Sequence, residues 1–489
     1  MSKTNLKSLD YLFKPKKVAI YGATEKSKHF MGGLEIQGFD KSKIYLINPS
    51  RDELFGLKVY KSLKDIPEDT IDHLILTIRR EKLVESLKII FSEKIVHTIH
   101  IFTAGTGEFD DEGIKIEKEI LTLLNDEKIN TRIIGPNCMG CYCPEGHIAY
   151  LKSFPQEPGN IGLIFQSGDL HSRLIKFGNL RYGLRFSKGV SIGNCVDLQI
   201  SEVLDYLNND DDTDIIGVYF EGFSNFHPYE GKKLVKILKT IRKPVLFMRG
   251  GETTRGQTAV LTHTGTIGTD ERIWDAVYKQ TTIIKVPTSL DSILDYIYIF
   301  YTHINRFKKQ GLSIDEIPYP KGKKTLVVLW SGGFGILATD TLIKLGMEMP
   351  TFKDNTLEKL KKIYPIKIGS LSNPLDLPWI EGTKEYLEIT KAAISENIDL
   401  VIIETDASSN LESKGFKAYY SNLMKIKDYV ESLNKLLILI LYQYPGESRK
   451  AYYDMLIKDG FIVYPTLPRA AKSFLALYHY GMKSKAFNH

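Results

Sequence analysis

Cysteine is scarce. Four thiols in 489 residues are too few for a disulfide framework, and the expectation is a reducing, cytoplasmic setting. Three of them crowd together as Cys138, Cys141 and Cys143, but the C-x2-C-x-C spacing is not that of a structural zinc site. They read as small residues in a tight turn, and no metal is expected. No apolar stretch reaches the roughly 18 residues of a membrane span, and Met1 to Asp10 is polar, without the pattern of a secretory leader. No membrane partner is expected. Blocks of like charge are also missing. The net charge of +6 comes from lysines scattered along the chain, which argues against a nucleic-acid surface and suits small anionic substrates. A full G-x-G-x-x-G is missing after the first apolar run, and Asn48-Pro49 stands where an acidic residue would hold a ribose. A nicotinamide-dependent oxidoreductase is therefore disfavoured.

What is present is an ordinary globular composition, 43 % apolar and 25 % charged, in a chain long enough for about three domains. Apolar runs end repeatedly in a glycine- or hydroxyl-rich turn followed by a helical pattern: Val18–Tyr21 before Gly22-Ala23-Thr24, Gly159–Phe165 before Gln166-Ser167-Gly168-Asp169, and Thr325–Trp330 before Ser331-Gly332-Gly333. Further strands are predicted at 43–48, 73–78 and 97–102. This alternation predicts an α/β protein of three doubly wound, parallel-sheet domains. Their expected extents are 1–150, 151–313 and 325–489, with a proline- and charge-rich linker at 314–324.

Such sheets bind ligands at the carboxyl ends of their strands. In the first domain that rule selects Gly22, Ala23, Thr24, Asn48, Pro49, Ile78 and Arg79, with Lys26 and Lys28 available to neutralise phosphates. In the second it selects Ser167, Asn194, Glu221 and His263, each expected at or just past a strand end. Thr262-His263-Thr264-Gly265 reads as a loop that holds an imidazole near oxyanion-binding N–H groups, with a helix opening near Asp270. An imidazole can carry a group between substrates, and a carboxylate such as Glu221 can hold its tautomer.

These stretches together resemble the α subunit of the NDP-forming acyl-CoA synthetases, within the succinyl-CoA synthetase superfamily. The resemblance rests on Val18–Thr24, Ile47-Asn48-Pro49, Ala104–Glu108, Gly135–Gly140, Gln166-Ser167-Gly168, Val190–Asn194 with Asp197, Tyr219–Gly222, Thr262–Gly265 and Ser372–Asp376. It implies a Rossmann-like, coenzyme A-binding first domain and two flavodoxin-like domains, the last helping subunits assemble. It implies an acid–thiol ligase that interconverts acyl-CoA, phosphate and ADP with acid, CoA and ATP through an acyl phosphate and phospho-His263. Glu221 is then the orienter of His263. Glu108 joins the coenzyme site, and Ser167, Gly168, Asp169, Asn194, Thr262, Thr264 and Gly265 surround the phosphate and acyl group. With no ATP-grasp segment in the sequence, ATP/ADP and Mg²⁺ are expected on a separate ATP-grasp β subunit, in an α2β2 or similar assembly. The alternative is a divergent CoA-binding subunit, for acyl or carbamoyl transfer or for sensing, without phosphohistidine chemistry. Asp169, Phe165, Ile78-Arg79 and Pro378-Trp379 depart from the family pattern. Asp169 in particular adds an anion beside the expected phosphate site, unless something pairs with it.

Overall fold

The structure is a computed structural model that describes residues 9–264, 270–364, 368–395, 397–406, 410–442 and 446–487, with the backbone alone at 261–264. The chain forms two compact units, 1–301 and 302–489.

The first unit holds two sheets. One is built from β1 (Val18–Tyr21), β2 (Ile44–Ile47), β3 (Glu53–Leu54), β4 (Leu57–Tyr60), β5 (Thr70–Leu76), β6 (Ile95–Ile101) and β7 (Arg132–Ile134), in the order β3-β4-β2-β1-β5-β6-β7. Every pairing is parallel except the β3–β4 hairpin. The central strands are apolar runs covered on both faces, as parallel sheets require. β5 stops at Leu76, two residues before the expected end. The N–H of Thr77 still donates to the Tyr21 carbonyl at 2.9 Å, and its hydroxyl adds bonds to the carbonyls of Tyr21 and Gly22, both at 3.1 Å, where the chain turns away. Gly22 adopts φ +81°, and a Cβ there would lie 2.6 Å from Ile78 Cγ2, so this turn needs glycine.

The second sheet comprises β8 (Gly140–Tyr142), β9 (Pro158–Phe165), β10 (Phe186–Ser191), β11 (Ile215–Phe220), β12 (Val245–Arg249) and β13 (Ile284–Val286), in the order β13-β12-β11-β9-β10-β8. β8 runs antiparallel to β10. It carries Cys141, so the cysteine cluster is only partly a turn; all four thiols are free and buried. Among the described residues no group of acids, histidines and cysteines is arranged to hold a metal ion. None of their helices is long and apolar enough to cross a membrane.

His263 does not sit in a loop. Its backbone belongs to the helix Thr254–Thr264. Thr253 caps the start of this helix, accepting from the N–H of Gly256 at 3.0 Å, and the helix formers Arg255, Gln257 and Ala259 offset the threonines and the one glycine. Gly265 lies outside the described residues. The helix expected near Asp270 is present as Glu271–Gln280, capped by the Asp270 carboxylate, which accepts from the N–H of Arg272 at 2.9 Å.

β10 also buries a cation. Lys188 is 1 % exposed, and its ammonium reaches Asp210 at 2.6 Å and Asp212 at 3.0 Å. Burial pulls its pKa down, but the bonds to Asp210 and Asp212 outweigh that and hold it above its ordinary value. Lys14 bridges Asp212 and Glu145 at 3.0 and 2.8 Å, extending the array to the N-terminal segment. Lys188→Ala leaves two carboxylates facing each other. It is expected to lower stability by about 3 kcal/mol, read as a fall in the urea midpoint at unchanged slope.

The second unit contains β14 (Thr325–Leu329), β15 (Leu375–Asp376), β16 (Leu400–Glu404), β17 (Leu436–Ile440) and β18 (Ile462–Tyr464), all parallel, in the order β15-β14-β16-β17-β18. Its core gathers Val328, Val401, Ile403, Leu439 and Val463 from the strands against Tyr386, Leu423 and Tyr452 from the helices.

Candidate active site

The carboxyl ends of the first two sheets open on one cleft of about 1170 Å³. Its walls include Thr24, Lys26, Ile78 and Arg79 from the first sheet's loops, and Ser167, Gly168, Asp169 and Asn194 from the second's. Residues as distant in sequence as Thr24 and Asn194 are thus brought to one space. Lys26, Arg79 and Lys82 are exposed cations on the first wall. Arg80, beside them, is committed elsewhere: it forks onto Asp110 at 3.0 and 2.9 Å and donates to the Gly105 carbonyl at 2.7 Å.

The opposite wall presents the start of the helix Gly168–Tyr182, whose first-turn N–H groups have no partner within the helix ladder. Together with the dipole, this favours an anion. Ser167 caps the helix, accepting from Leu170 N–H at 3.4 Å. A Cβ on Gly168 would lie 2.3 Å from Met139 Cγ, so no side chain fits between this helix start and the loop beneath it. Asp169 is paired: Arg173, one turn on, meets its carboxylate at 2.6 Å. The added anion is therefore neutralised within its own helix and mostly exposed.

Other residues singled out in the sequence shape loops instead of lining the cleft. The N–H groups of Gly22 and Ala23 both donate to the Ile47 carbonyl at 3.0 Å. The Asn48 side chain donates to the Ala23 carbonyl at 2.8 Å and accepts from Ser50 N–H at 2.8 Å. Neither Asn48 nor Pro49 is among the cleft-lining residues. Glu108 folds onto its own loop, accepting from Gly105 and Thr106 N–H at 2.6 and 3.1 Å and from Asn194 Nδ2 at 2.6 Å. Asn194 also donates to Glu117 at 2.8 Å. Burial pushes the Glu117 carboxyl up, against bonds from Asn194, Thr106 and Gly107 that pull it down. Asn194 thus ties the second sheet's rim to the Glu108 loop of the first.

Glu221 follows β11 directly and is 6 % exposed. Its partner in placement is Gln166, which the sequence shows only as one letter of a turn. The amide oxygen of Gln166 accepts from the N–H groups of Glu221 and Gly222 at 2.5 and 3.1 Å, and its Nε2 donates to the Gly222 carbonyl at 2.9 Å. His29 is a second residue of the cleft not singled out in the sequence. Its Nδ1 meets the Lys26 carbonyl at 2.9 Å, and burial pulls its imidazole pKa down. The side chains of Thr262, His263 and Thr264 lie outside what the structure describes.

A cleft shared by two mainly parallel sheets, cationic on one wall and edged by a helix start on the other, is suited to a phosphorylated small molecule. Comparison with known proteins names it further. Residues 16–144 match a CoA-binding domain and residues 158–300 a succinyl-CoA ligase-like flavodoxin domain. The chain is similar to the ADP-forming acetate–CoA ligase II subunit alpha of Pyrococcus furiosus, 28 % identical over 96 % of this chain and 97 % of that one. It is also similar to the ADP-forming acetate–CoA ligase of Methanocaldococcus jannaschii, 33 % identical over 76 % of this chain but spanning only 49 % of that longer protein. Its fold matches the solved acetyl-coenzyme A synthetase 1 of Ca. Korarchaeum cryptofilum, with phosphate and ADP, at a TM-score of 0.77 and 24 % identity over 98 % of each chain. The chain belongs to the ADP-forming acyl-CoA synthetase family, within the succinyl-CoA ligase-like proteins.

Proposed function

We propose that this chain is the α subunit of an ADP-forming acyl-CoA synthetase that works through phospho-His263 with an ATP-grasp β subunit. The observation that carries the reading is the single cleft in which the coenzyme-side loops and the Ser167–Gly168 helix start meet. CoA, with its negatively charged phosphates, fits that space, with Lys26 and Arg79 facing it and Ser167, Gly168 and Asn194 at the reacting end. In the reaction, a phosphate oxygen attacks the acyl carbon of the thioester, the C–S bond breaks, and CoA leaves as the thiolate. The His263 imidazole then attacks phosphorus, the carboxylate departs, and the phosphoryl group passes from the ring to ADP on the partner; acyl-CoA synthesis is the reverse. Oriented N–H donors at the Gly168 helix start stabilise the charge that spreads over the phosphoryl oxygens. Glu221 supports positive charge on the ring while it is displaced. The relatives named as alpha subunits support a partner chain. Nucleotide and Mg²⁺ belong to that partner, and α2β2 is the proposed assembly.

The test is to incubate the chain, its β partner, Mg²⁺ and γ-labelled ATP. An acid-labile, base-stable label on this chain, discharged by ADP, is expected. CoA binding without any label would instead favour a divergent CoA-binding subunit. Lys26→Ala and Arg79→Ala are each expected to weaken CoA binding by about fivefold at low salt and less at high salt, because exposed charges are screened; calorimetry at two ionic strengths reads this.

A further inference from the structure

We propose that Gln166 and Tyr219 are positioning residues for Glu221, fixing where its carboxylate stands relative to His263; this rests on the reaction given above. β11 ends at Phe220, and the next two residues leave the sheet. A strand that leaves its sheet loses ladder hydrogen bonds, and buried backbone groups must find other partners. Here one side chain provides them. Gln166, 4 % exposed, accepts from two consecutive N–H groups and returns a donor to the Gly222 carbonyl. Its own N–H donates to the Tyr219 carbonyl at 3.2 Å. The backbone from 219 to 222 is thereby fastened to the end of β9. Gln166 also forms part of the cleft wall, so the same residue borders the ligand space and backs Glu221.

Tyr219 sets the other end. Its hydroxyl is hydrogen-bonded to Glu221, and burial first, then the neighbouring carboxylate, push the phenol pKa up. The phenol therefore stays protonated and remains a donor across the working pH range. Both side chains lie against Gly250: a Cβ there would be 2.9 Å from the Tyr219 hydroxyl and 3.5 Å from Glu221 Cγ. A side chain at 250 would crowd the Tyr219 hydroxyl. The carboxylate is thus held from its backbone by Gln166 and from its tip by Tyr219. A group that must meet a ring in a fixed orientation needs such support, since small misplacements cost large factors in rate.

The experiment uses the complex with the β partner, Mg²⁺ and γ-labelled ATP, following the rate of label on this chain. Tyr219→Phe removes one hydroxyl and little else. Labelling is expected to slow about tenfold, at a CoA affinity within twofold of wild type. Because Tyr219 acts through Glu221, adding Tyr219→Phe to Glu221→Gln is expected to cost nothing further. Gln166→Met orphans buried backbone groups and is expected to slow labelling more. If that variant does not fold, Tyr219→Phe decides alone. Tyr219→Phe labelled at the wild-type rate, or losses that multiply with those of Glu221→Gln, would overturn the inference while leaving the reaction intact. An unlabelled wild type would overturn the reaction itself, and the inference with it.

Discussion

His263→Asn is expected to abolish phosphoryl transfer to this chain, with label from γ-labelled ATP falling at least about a thousandfold while CoA affinity stays within a factor of two. Asparagine keeps a polar side chain in the last turn of the helix Thr254–Thr264 but has no ring nitrogen able to form a stable N–P bond. The cleft walls proposed to face CoA come from other loops, so binding and labelling are expected to separate cleanly. Autoradiography beside calorimetry on the same preparation gives both readouts. Equal labelling of wild type and variant would mean that a different nucleophile carries the phosphoryl group.

The second large effect concerns pH. Three histidines of the first unit are fully buried. His73 contacts Thr98 Oγ1 at 2.9 Å, His100 the Cys138 carbonyl at 2.9 Å, and His171 the Tyr150 hydroxyl at 2.7 Å. Gly189 is what admits His171 to the sheet face, since a Cβ there would lie 2.5 Å from its Nε2. Burial pulls His73 and His171 down to about 3 and His100 down to about 4. In the unfolded chain these rings take up protons below about pH 6.5, whereas in the folded chain they do not until pH 3 to 4. The unfolded state therefore binds more protons throughout that window, and stability falls as pH drops through it. Each ring contributes about 1.4 kcal/mol per pH unit, so three cost on the order of 6 kcal/mol between pH 6.5 and 5. Glu117, Asp197 and Glu230 offset part of this. Burial raises all three, so they gain protons in the folded state first. Urea midpoints at pH 7.5 and 5.0 check the sum, and a flat profile would refute neutral buried rings.

Much of this was legible in the sequence because the central strands are mostly apolar and turns rich in glycine and hydroxyls fall directly after β1, β9 and β14. That rule alone led to Thr24, Ile78, Arg79, Ser167 and Asn194, all of which line the cleft. Asn48 and Gly22 are not among the residues that line the cleft, since a position past a strand end says nothing about whether its polar groups are already engaged by a neighbouring loop. The helix Thr254–Thr264 was hidden by composition: threonines and a glycine lower helix propensity, and the capping by Thr253 that compensates is a matter of one hydroxyl's geometry. Gln166 was invisible for a different reason. Its task depends on Glu221 at the end of β11, 55 residues away in sequence and beside it in space. The pairing of Asp169 with Arg173 has the four-residue spacing of a helical ion pair and was within reach once Gly168 was taken as a helix start.

The cleft also has a heading. Its positive charge comes from Lys26 and Arg79 on the loops of one sheet, with Lys82 beside them already matched by Glu85 at 2.8 Å, whereas the facing rim offers neutral donors and an anion already matched by Arg173. A ligand that is heavily ionised at one extremity and uncharged at the other is oriented before it docks, ionised end toward the lysines and uncharged end toward Ser167. Exchanging charge between the two rims would then reverse the direction in which such a ligand lies, even where the total attraction stayed the same.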